Sequence, residues 1–116
     1  MDSPLSEQEL AELEATLLPA LERHHLRLLA HGLRTLQGIA GRREGEGPEA
    51  AAIDAWARAQ PAIAGDDSFA RAFTGQLLAA GEQLASIAEA CGRSTLALDL
   101  DDLSSWAKAQ ADSRLR

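Results

Sequence analysis

The chain has 116 residues, the size of one domain, and its formal net charge of −7 at pH 7 argues against affinity for nucleic acid or for anionic membranes. It contains no Val and no Tyr, whereas Ala and Leu supply 43 residues, so β-formers are scarce and helix formers are abundant. We therefore predict a single all-α domain over residues 1–116, a compact bundle of four to five helices, with no membrane span.

The first two predicted helices, 6–18 and 20–40, are separated by Pro19. Ser6 and Glu9 have the spacing of a capping box, in which each side chain accepts a hydrogen bond from the backbone amide of the other residue. Proline has no amide hydrogen and its ring crowds the preceding turn. Because the apolar phase continues across Pro19, a kinked helix and a break both remain open.

The second predicted helix has an apolar arc wider than the roughly 100° stripe that one core requires. Leu21 and Leu28 lie near the centre of this arc, and Leu26 and Leu33 extend it on one flank. Either this flank is covered within the domain or it meets a partner. The predicted partner surface consists of Leu26, Leu29, Leu33, Arg23, Arg27 and Arg34. For the arginines, the competing interpretation is a solvated face that pairs with Glu22 and with the acidic first helix.

The third predicted helix follows a loop rich in glycine. Residues 41–47 are polar and contain several glycines, which predicts a flexible connection. Pro48 suits the first position of a helix, because the amide hydrogen that it lacks would have no partner there, and Gly47 is a tolerable cap. We therefore predict a helix over 48–60 that stops before Pro61.

The fourth predicted helix, 68–91, has an apolar stripe that recurs at spacings of three and four from Phe69 to Cys91. Cys91 is accordingly expected to be a buried structural thiol, and Gly92 ends the helix in the left-handed conformation. Another face carries only small residues, which allow a second helix to approach closely: Ala72, Gly75, Ala79 and Ser86. A homo-oligomer through this face or through helix 20–40 is one hypothesis.

The last predicted helix spans 99–114. Asp99 is its expected cap, and Leu98 and Leu103 then occupy the two positions of a hydrophobic staple. Leu103 and Trp106 are expected to anchor this helix to the core.

Residues 84–94 resemble the first helix and the turn of a helix-turn-helix unit. A transcriptional regulator that uses residues 84–103 is therefore an alternative. The segment after the turn departs from that resemblance, because it would present Asp99, Asp101 and Asp102 to a polyanion, where donors and cations are needed. An ordinary helix that ends at a glycine explains the same residues.

Chemically reactive side chains form no recognisable constellation in the sequence. Motifs for a nucleophile elbow or a phosphate loop are absent. His24 and His31 lie seven residues apart, about 10 Å along a helix, too far to share one metal ion, and His25 points towards the apolar arc. We predict no catalytic residue, cofactor or metal, and whether these histidines or Cys91 have a role is open.

A non-catalytic module for protein–protein interaction, assembly or regulation is the function that the sequence favours, with a protein partner of unknown identity. A small enzyme or a ligand-binding bundle is a further alternative. The lone cysteine and the lack of a secretory signal predict a cytoplasmic location. The preference for Arg over Lys, together with the abundance of Ala, Gly and Leu, predicts a bacterial origin.

Overall fold

Five α-helices and one 3₁₀ turn make up the fold of residues 4–115, the part of the chain that this computed structural model describes, apart from the side chain of Leu115. The helices are α1 (Glu7–Glu14), α2 (Ala20–Ala40), α3 (Ala50–Ala59), α4 (Asp67–Cys91) and α5 (Leu100–Leu115), and the 3₁₀ turn spans Thr95–Ala97. The described residues contain no strand. The predicted all-α bundle of four to five helices is confirmed.

The predicted capping box begins α1. The amide of Glu9 donates to Oγ of Ser6 at 3.0 Å, and the amide of Ser6 donates to Oε1 of Glu9 at 3.1 Å. The bond from the Ser6 amide and the guanidinium of Arg34 together hold the pKa of Glu9 below its ordinary value. The cap therefore also prepares the Glu9 carboxylate for an ion pair with α2.

The chain breaks between α1 and α2. The prediction of a helix over 6–18 was too long, since α1 ends at Glu14. Pro19 lies in an extended conformation, with φ −53° and ψ 152°, and stands directly before the first residue of α2. Because this ψ is far from helical, Pro19 starts a new helix and does not kink a continuous one.

The main core surrounds α2. Leu26 and Leu33, on the flank of the wide arc, are 0% exposed. Leu21 and Leu28, which the sequence placed near the centre of the buried arc, are 66% and 57% exposed, so that prediction was wrong. The reason lies in tertiary packing: α5 and the 3₁₀ turn lie against the side of α2 that carries Leu26 and Leu33.

A small second core joins α3 to α4. It contains Ala57, Ile63 and Ala70, and the rings of Trp56 and Phe73 stack beside it with centroids 5.7 Å apart. Ala70 lets the start of α4 approach α3 closely. In consequence Phe69, which the stripe placed in the core, is 52% exposed, and that prediction was wrong.

A second prediction from the apolar stripe of α4 was also wrong, this time at the end of the helix. Cys91 is exposed, although the apolar stripe predicted a buried thiol. In the last turns of α4 the core positions are Ile87 and Ala88, each 2% exposed, and Cys91 lies past them as the final helical residue. Gly92 follows in the predicted left-handed conformation, with φ 70°.

The predicted start of α5 is confirmed. Asp99 accepts a hydrogen bond from the amide of Asp102 at 2.8 Å, and the amide of Asp99 donates to Asp102 at 3.0 Å. Leu98 and Leu103, the two staple residues, are 2% and 0% exposed.

The helix-turn-helix alternative does not match the geometry of residues 84–103. Where a reading helix would begin, the chain forms the 3₁₀ turn, and Leu96 and Leu98 are buried. The next α-helix begins only at Leu100. The residues after the turn therefore pack into the core where a helix-turn-helix unit would begin its reading helix.

The glycine-rich loop 41–47 contacts the 3₁₀ turn. The amide of Gly45 donates to Oγ of Ser94 at 2.9 Å, and the carbonyl of Gly45 accepts from the amide of Leu96 at 3.0 Å. Its predicted flexibility stays a prediction. The helix after the loop begins at Ala50 with Glu49 as its cap, two residues later than Pro48 had indicated.

Replacement of two glycines, one inside α2 and one directly after α4, should have opposite effects on stability. Gly38 lies inside α2, and an added Cβ would meet nothing within 4 Å, so Gly38→Ala should raise the free energy of unfolding by about 1 kcal/mol. Gly92 has φ +70°, so Gly92→Ala should lower it by about 1 kcal/mol. Urea unfolding of the two variants measures both, and a gain at Gly92 would contradict the left-handed cap.

Candidate partner-binding surface

The three leucines of the predicted partner surface lie in the core. Leu26 and Leu33 are 0% exposed and Leu29 is 3% exposed. The structure therefore matches the interpretation in which other helices of the same chain cover this flank of the apolar arc. In this fold Leu26 and Leu33 offer no free surface, Leu29 lines a groove described below, and the contact of all three with a partner stays a prediction.

Two arginines of the same predicted surface connect α2 to α1. Arg34 donates to Oε2 of Glu9 from two nitrogens, at 2.8 and 3.1 Å, and Arg27 pairs with Glu14. Only 12% of the Arg34 side chain is exposed, against 47% for Arg27. Arg23 is partly buried. The geometry of Arg27 and Arg34 therefore matches the competing interpretation, in which these arginines pair with the acidic first helix.

The histidines are spread over the surface of α2. His24 and His31 are exposed, and His25 packs against the ring of Trp106 with centroids 5.9 Å apart. Nε2 of His25 lies 3.0 Å from Nε2 of Gln83 on α4. Among residues 4–115, no three His, Cys, Asp or Glu side chains are grouped so that they would hold a metal ion.

A groove of about 600 Å³ lies between α2 and α4. The two helices meet closely beneath it, because a Cβ added at Gly32 would lie 3.3 Å from the Cβ of Ala80. Leu29 and Leu77 are buried at this level, while Leu28 is 57% exposed at the edge. We call this feature the α2–α4 groove; its lining consists of His25, Leu28, Leu29, His31, Gly32 and Thr35 of α2 and Phe73, Gln76, Leu77, Ala79, Ala80 and Gln83 of α4.

The α2–α4 groove has no charged lining residue. None of its twelve residues is Asp, Glu, Lys or Arg, although 25% of the chain is charged. Ala79 belongs to the predicted small-residue face of α4, and the other three members of that face, Ala72, Gly75 and Ser86, are also exposed. An exposed, concave and uncharged surface loses little favourable hydration when it is covered, which is typical of a contact surface.

A second hollow of about 310 Å³ adjoins this groove. His25 and Gln83 line both, so the two are neighbours on the surface of α2, α4 and α5. The lining of the second hollow is completed by Leu21, Glu22, Trp106, Ala107 and Gln110. We refer to the groove and the hollow together as the concave surface.

Glu22 is the one charged residue in the lining of the second hollow. Its side chain is 11% exposed, and Oε1 pairs with Arg114 at the end of α5. Its other oxygen, Oε2, is buried and has no hydrogen-bond partner among the described residues. Because Oε2 is buried, this unpaired acceptor is a cost to the fold and not a contact that the hollow offers to a ligand.

Sequence reasoning found only part of this surface. It singled out Leu29 of α2 and the small residues of α4 but not Thr35, Gln76 or Gln83, and it named Glu22 only as a pairing partner of the arginines. A signal was present in Gln76 and Gln83, which are seven residues apart and therefore share a helix face with Ala79 between them. That α2 would form the opposite wall depends on tertiary packing, which spacing along one helix does not reveal.

Residues 5–114 match the protein family described as NDH complex assembly factor CRR9. The chain belongs to this family. The matched range contains α1 to α4 completely and nearly all of α5, so it includes every residue of the concave surface. No curated protein and no solved structure matches the chain.

The description of the family names a role in assembly. This agrees with the prediction of an assembly module. Within the described residues, no helix is both long enough and apolar enough to cross a membrane.

Proposed function

We propose that this chain is a non-catalytic assembly factor that binds a protein subunit of the NDH complex while the complex is being put together. The observation that carries the proposal is the family match over residues 5–114. The concave surface supports it, because apolar and uncharged area exposed on a chain of net charge −7 is suited to contact with another protein.

The composition of the concave surface favours a contact that forms and dissociates. Leu28 supplies exposed apolar area, whereas Gln76 and His31 give the groove exposed polar side chains. Interfaces of proteins that also exist unbound have this mixed character. An assembly factor needs such a surface, because it must leave its client when assembly is complete.

A bacterial origin and a cytoplasmic location remain predictions from composition, and so does a homo-oligomer. The prevalence of Arg over Lys supports the first, and the single cysteine supports the second. Neither is required for the proposed contact with a subunit.

Deletion of the gene in the organism that encodes this chain should lower the amount of assembled NDH complex severalfold, while its subunits are still synthesised. The reason is that an assembly factor acts before the complex is complete. Native gel electrophoresis with immunodetection of NDH subunits measures this amount. A plasmid copy of the unaltered gene should restore it.

The affinity-tagged chain should also co-purify with NDH subunits in a partly assembled form and be absent from the mature complex. Mass spectrometry of both fractions identifies the subunits. Unchanged NDH levels in the deletion strain, or an equal amount of the chain in mature complex and in intermediates, would contradict the proposed function.

A further inference from the structure

We infer that a hollow at the end of α2 binds an acidic segment of the client subunit through the guanidinium groups of Arg42 and Arg43. The inference rests on the proposed function for the identity of the client. It adds the chemistry of the bound segment and the place where the segment binds. This place shares no lining residue with the concave surface.

The hollow has a volume of about 280 Å³ and lies between the end of α2 and the start of the loop 41–47. Three arginines line it, Arg34, Arg42 and Arg43, and no carboxylate of the described residues does. On a chain of net charge −7, these arginines form a local concentration of positive charge. We call this feature the arginine hollow.

Two of the three arginines keep a positive charge that no described carboxylate pairs with. Arg34 is used within the fold, since it donates to Glu9 from two nitrogens. Arg42 donates from Nη1 to the backbone carbonyl of Glu44, which is a neutral group, so the charge of Arg42 remains. Arg43 is exposed. The arginine hollow therefore offers two guanidinium groups to a ligand.

The loop 41–47 divides its charged side chains between different places. In the sequence, Glu44 and Glu46 follow Arg42 and Arg43, so the loop has no net charge. In the structure, Glu46 lines a separate hollow beside α3 and α4, and Glu44 lines neither of the two hollows. The charge of the two arginines is thus concentrated at the arginine hollow.

The end of α2 favours a peptide over a simple anion. Gly38 and Gly41 belong to the lining, and a Cβ added at either would meet nothing within 4 Å, so a ligand can approach the backbone there. The last carbonyls of an α-helix have no amide partner within the helix and form the negative end of its dipole. A phosphate would bring about two negative charges close to these carbonyls. A peptide instead offers amide hydrogens to the carbonyls and carboxylates to the arginines.

The net charge of the chain does not prevent this contact. At physiological ionic strength, charges separated by more than about 8 Å are largely screened, so the arginines dominate the field at the hollow. An exposed ion pair contributes little by itself. We therefore expect the segment to carry neighbouring Asp or Glu residues, with a carboxylate for each of the two arginines.

Charge reversal at Arg43 tests the inference in the native organism. Arg43→Glu should lower co-purification of the NDH subunit by about tenfold or more, because it brings like charges together. Lys108→Glu is the matched control, since Lys108 is also exposed and lies on α5, outside the arginine hollow. It changes the net charge equally and should leave co-purification unchanged. Thermal unfolding of the two variants should agree.

Short overlapping peptides that cover the co-purified subunit then identify the bound segment. The peptides that bind the unaltered chain should contain neighbouring Asp or Glu residues. Replacement of these residues by Lys should reverse the preference, so that the altered peptide binds the Arg43→Glu variant more tightly than it binds the unaltered chain. A purely structural role of Arg43 would weaken binding of both peptides alike.

A second pair of variants tests the open floor of the arginine hollow. Gly38 and Gly75 are exposed residues of α2 and α4, and an added Cβ would meet nothing within 4 Å at either position. Leucine is a better helix former than glycine, so neither Gly38→Leu nor Gly75→Leu should lower the melting temperature. Gly38→Leu should raise the dissociation constant of the acidic peptide severalfold, because its side chain fills the floor. Gly75→Leu should leave that constant unchanged.

The outcomes separate the inference from the proposed function. If an NDH subunit co-purifies equally with the Arg43→Glu and Lys108→Glu variants, or if the bound peptides lack Asp and Glu, the inference is wrong and the proposed function stands. Inorganic phosphate is the probe for a simple anion. If phosphate raises the melting temperature of the unaltered chain but not of the Arg43→Glu variant, and no acidic peptide binds, the inference is also wrong. If no NDH subunit co-purifies with the unaltered chain, the proposed function itself fails.

Discussion

Replacement of Leu33 by alanine should lower the free energy of unfolding by about 3 kcal/mol, because it removes buried methyl groups and leaves a cavity. The same replacement at Leu28 should change it by less than about 0.5 kcal/mol. Both leucines lie in α2, but Leu33 is 0% exposed and Leu28 is 57% exposed. The comparison tests which side of α2 is free to bind a partner. One is the side of Leu33, which the sequence analysis assigned to a partner, and the other is the side of Leu28, at the edge of the α2–α4 groove.

Urea unfolding of both variants at two protein concentrations is the measurement. If Leu33 is covered by the chain's own helices, the loss for Leu33→Ala should be the same at both concentrations. If it were covered by a second copy, the stability of the unaltered chain would rise with concentration, because association shifts the unfolding equilibrium. A small effect at Leu33 together with a large one at Leu28 would mean that the two faces of α2 are exchanged.

The starts of α1 and α5 and the end of α4 were the parts of the fold that local sequence predicted best. Ser6 with Glu9, Asp99 with Asp102, and Gly92 each act through hydrogen bonds or backbone conformation within a few residues. Such interactions are encoded locally, so spacing reveals them. Pro19 was ambiguous for the opposite reason: a break or a kink depends on how α1 packs.

The buried faces were predicted less well, because they depend on which helices surround each element. In α2 the wide arc left open which side of the helix is buried. Because α5 and the 3₁₀ turn pack against α2, the side of Leu33 is buried and that of Leu28 is exposed. In α4 the small Ala70 took the place against α3 that the stripe had assigned to Phe69. Periodicity identifies an amphipathic helix but does not say which part of a broad stripe faces the core.

The candidate surface was visible in the sequence only in part, as Leu29 of α2 and one face of α4. The small residues around Ala79 indicated a close approach by another helix, and the structure places part of that face beside α2 without covering it. The opposite wall and the buried carboxylate of Glu22 come from segments distant in the chain. The partner was beyond sequence reasoning as well, and the assembly role comes from the family match.

Gln37→Leu should lower the free energy of unfolding by about 2 kcal/mol, because leucine occupies a similar volume but leaves a buried acceptor without its donor. The Gln37 residue is 6% exposed. Its Nε2 donates to the carbonyl of Leu96 at 2.9 Å, and its Oε1 accepts from Nη1 of Arg34 at 2.8 Å. One side chain thus joins α2, the 3₁₀ turn and the arginine that holds α1.

The loss of stability caused by Gln37→Leu should be largest at the 3₁₀ turn. The amide of Leu96 donates to the carbonyl of Gly45, so loosening of the turn should raise hydrogen exchange at Leu96 more than at Leu84 in α4. Gln76→Leu is the matched control, because Gln76 is exposed and its replacement should change stability by less than about 0.5 kcal/mol. Equal effects at the two glutamines would show that the bond to Leu96 contributes nothing. In that case the loop 41–47 and the turn would be held by the bonds of Gly45 to Ser94 and Leu96 and by apolar packing around Leu96.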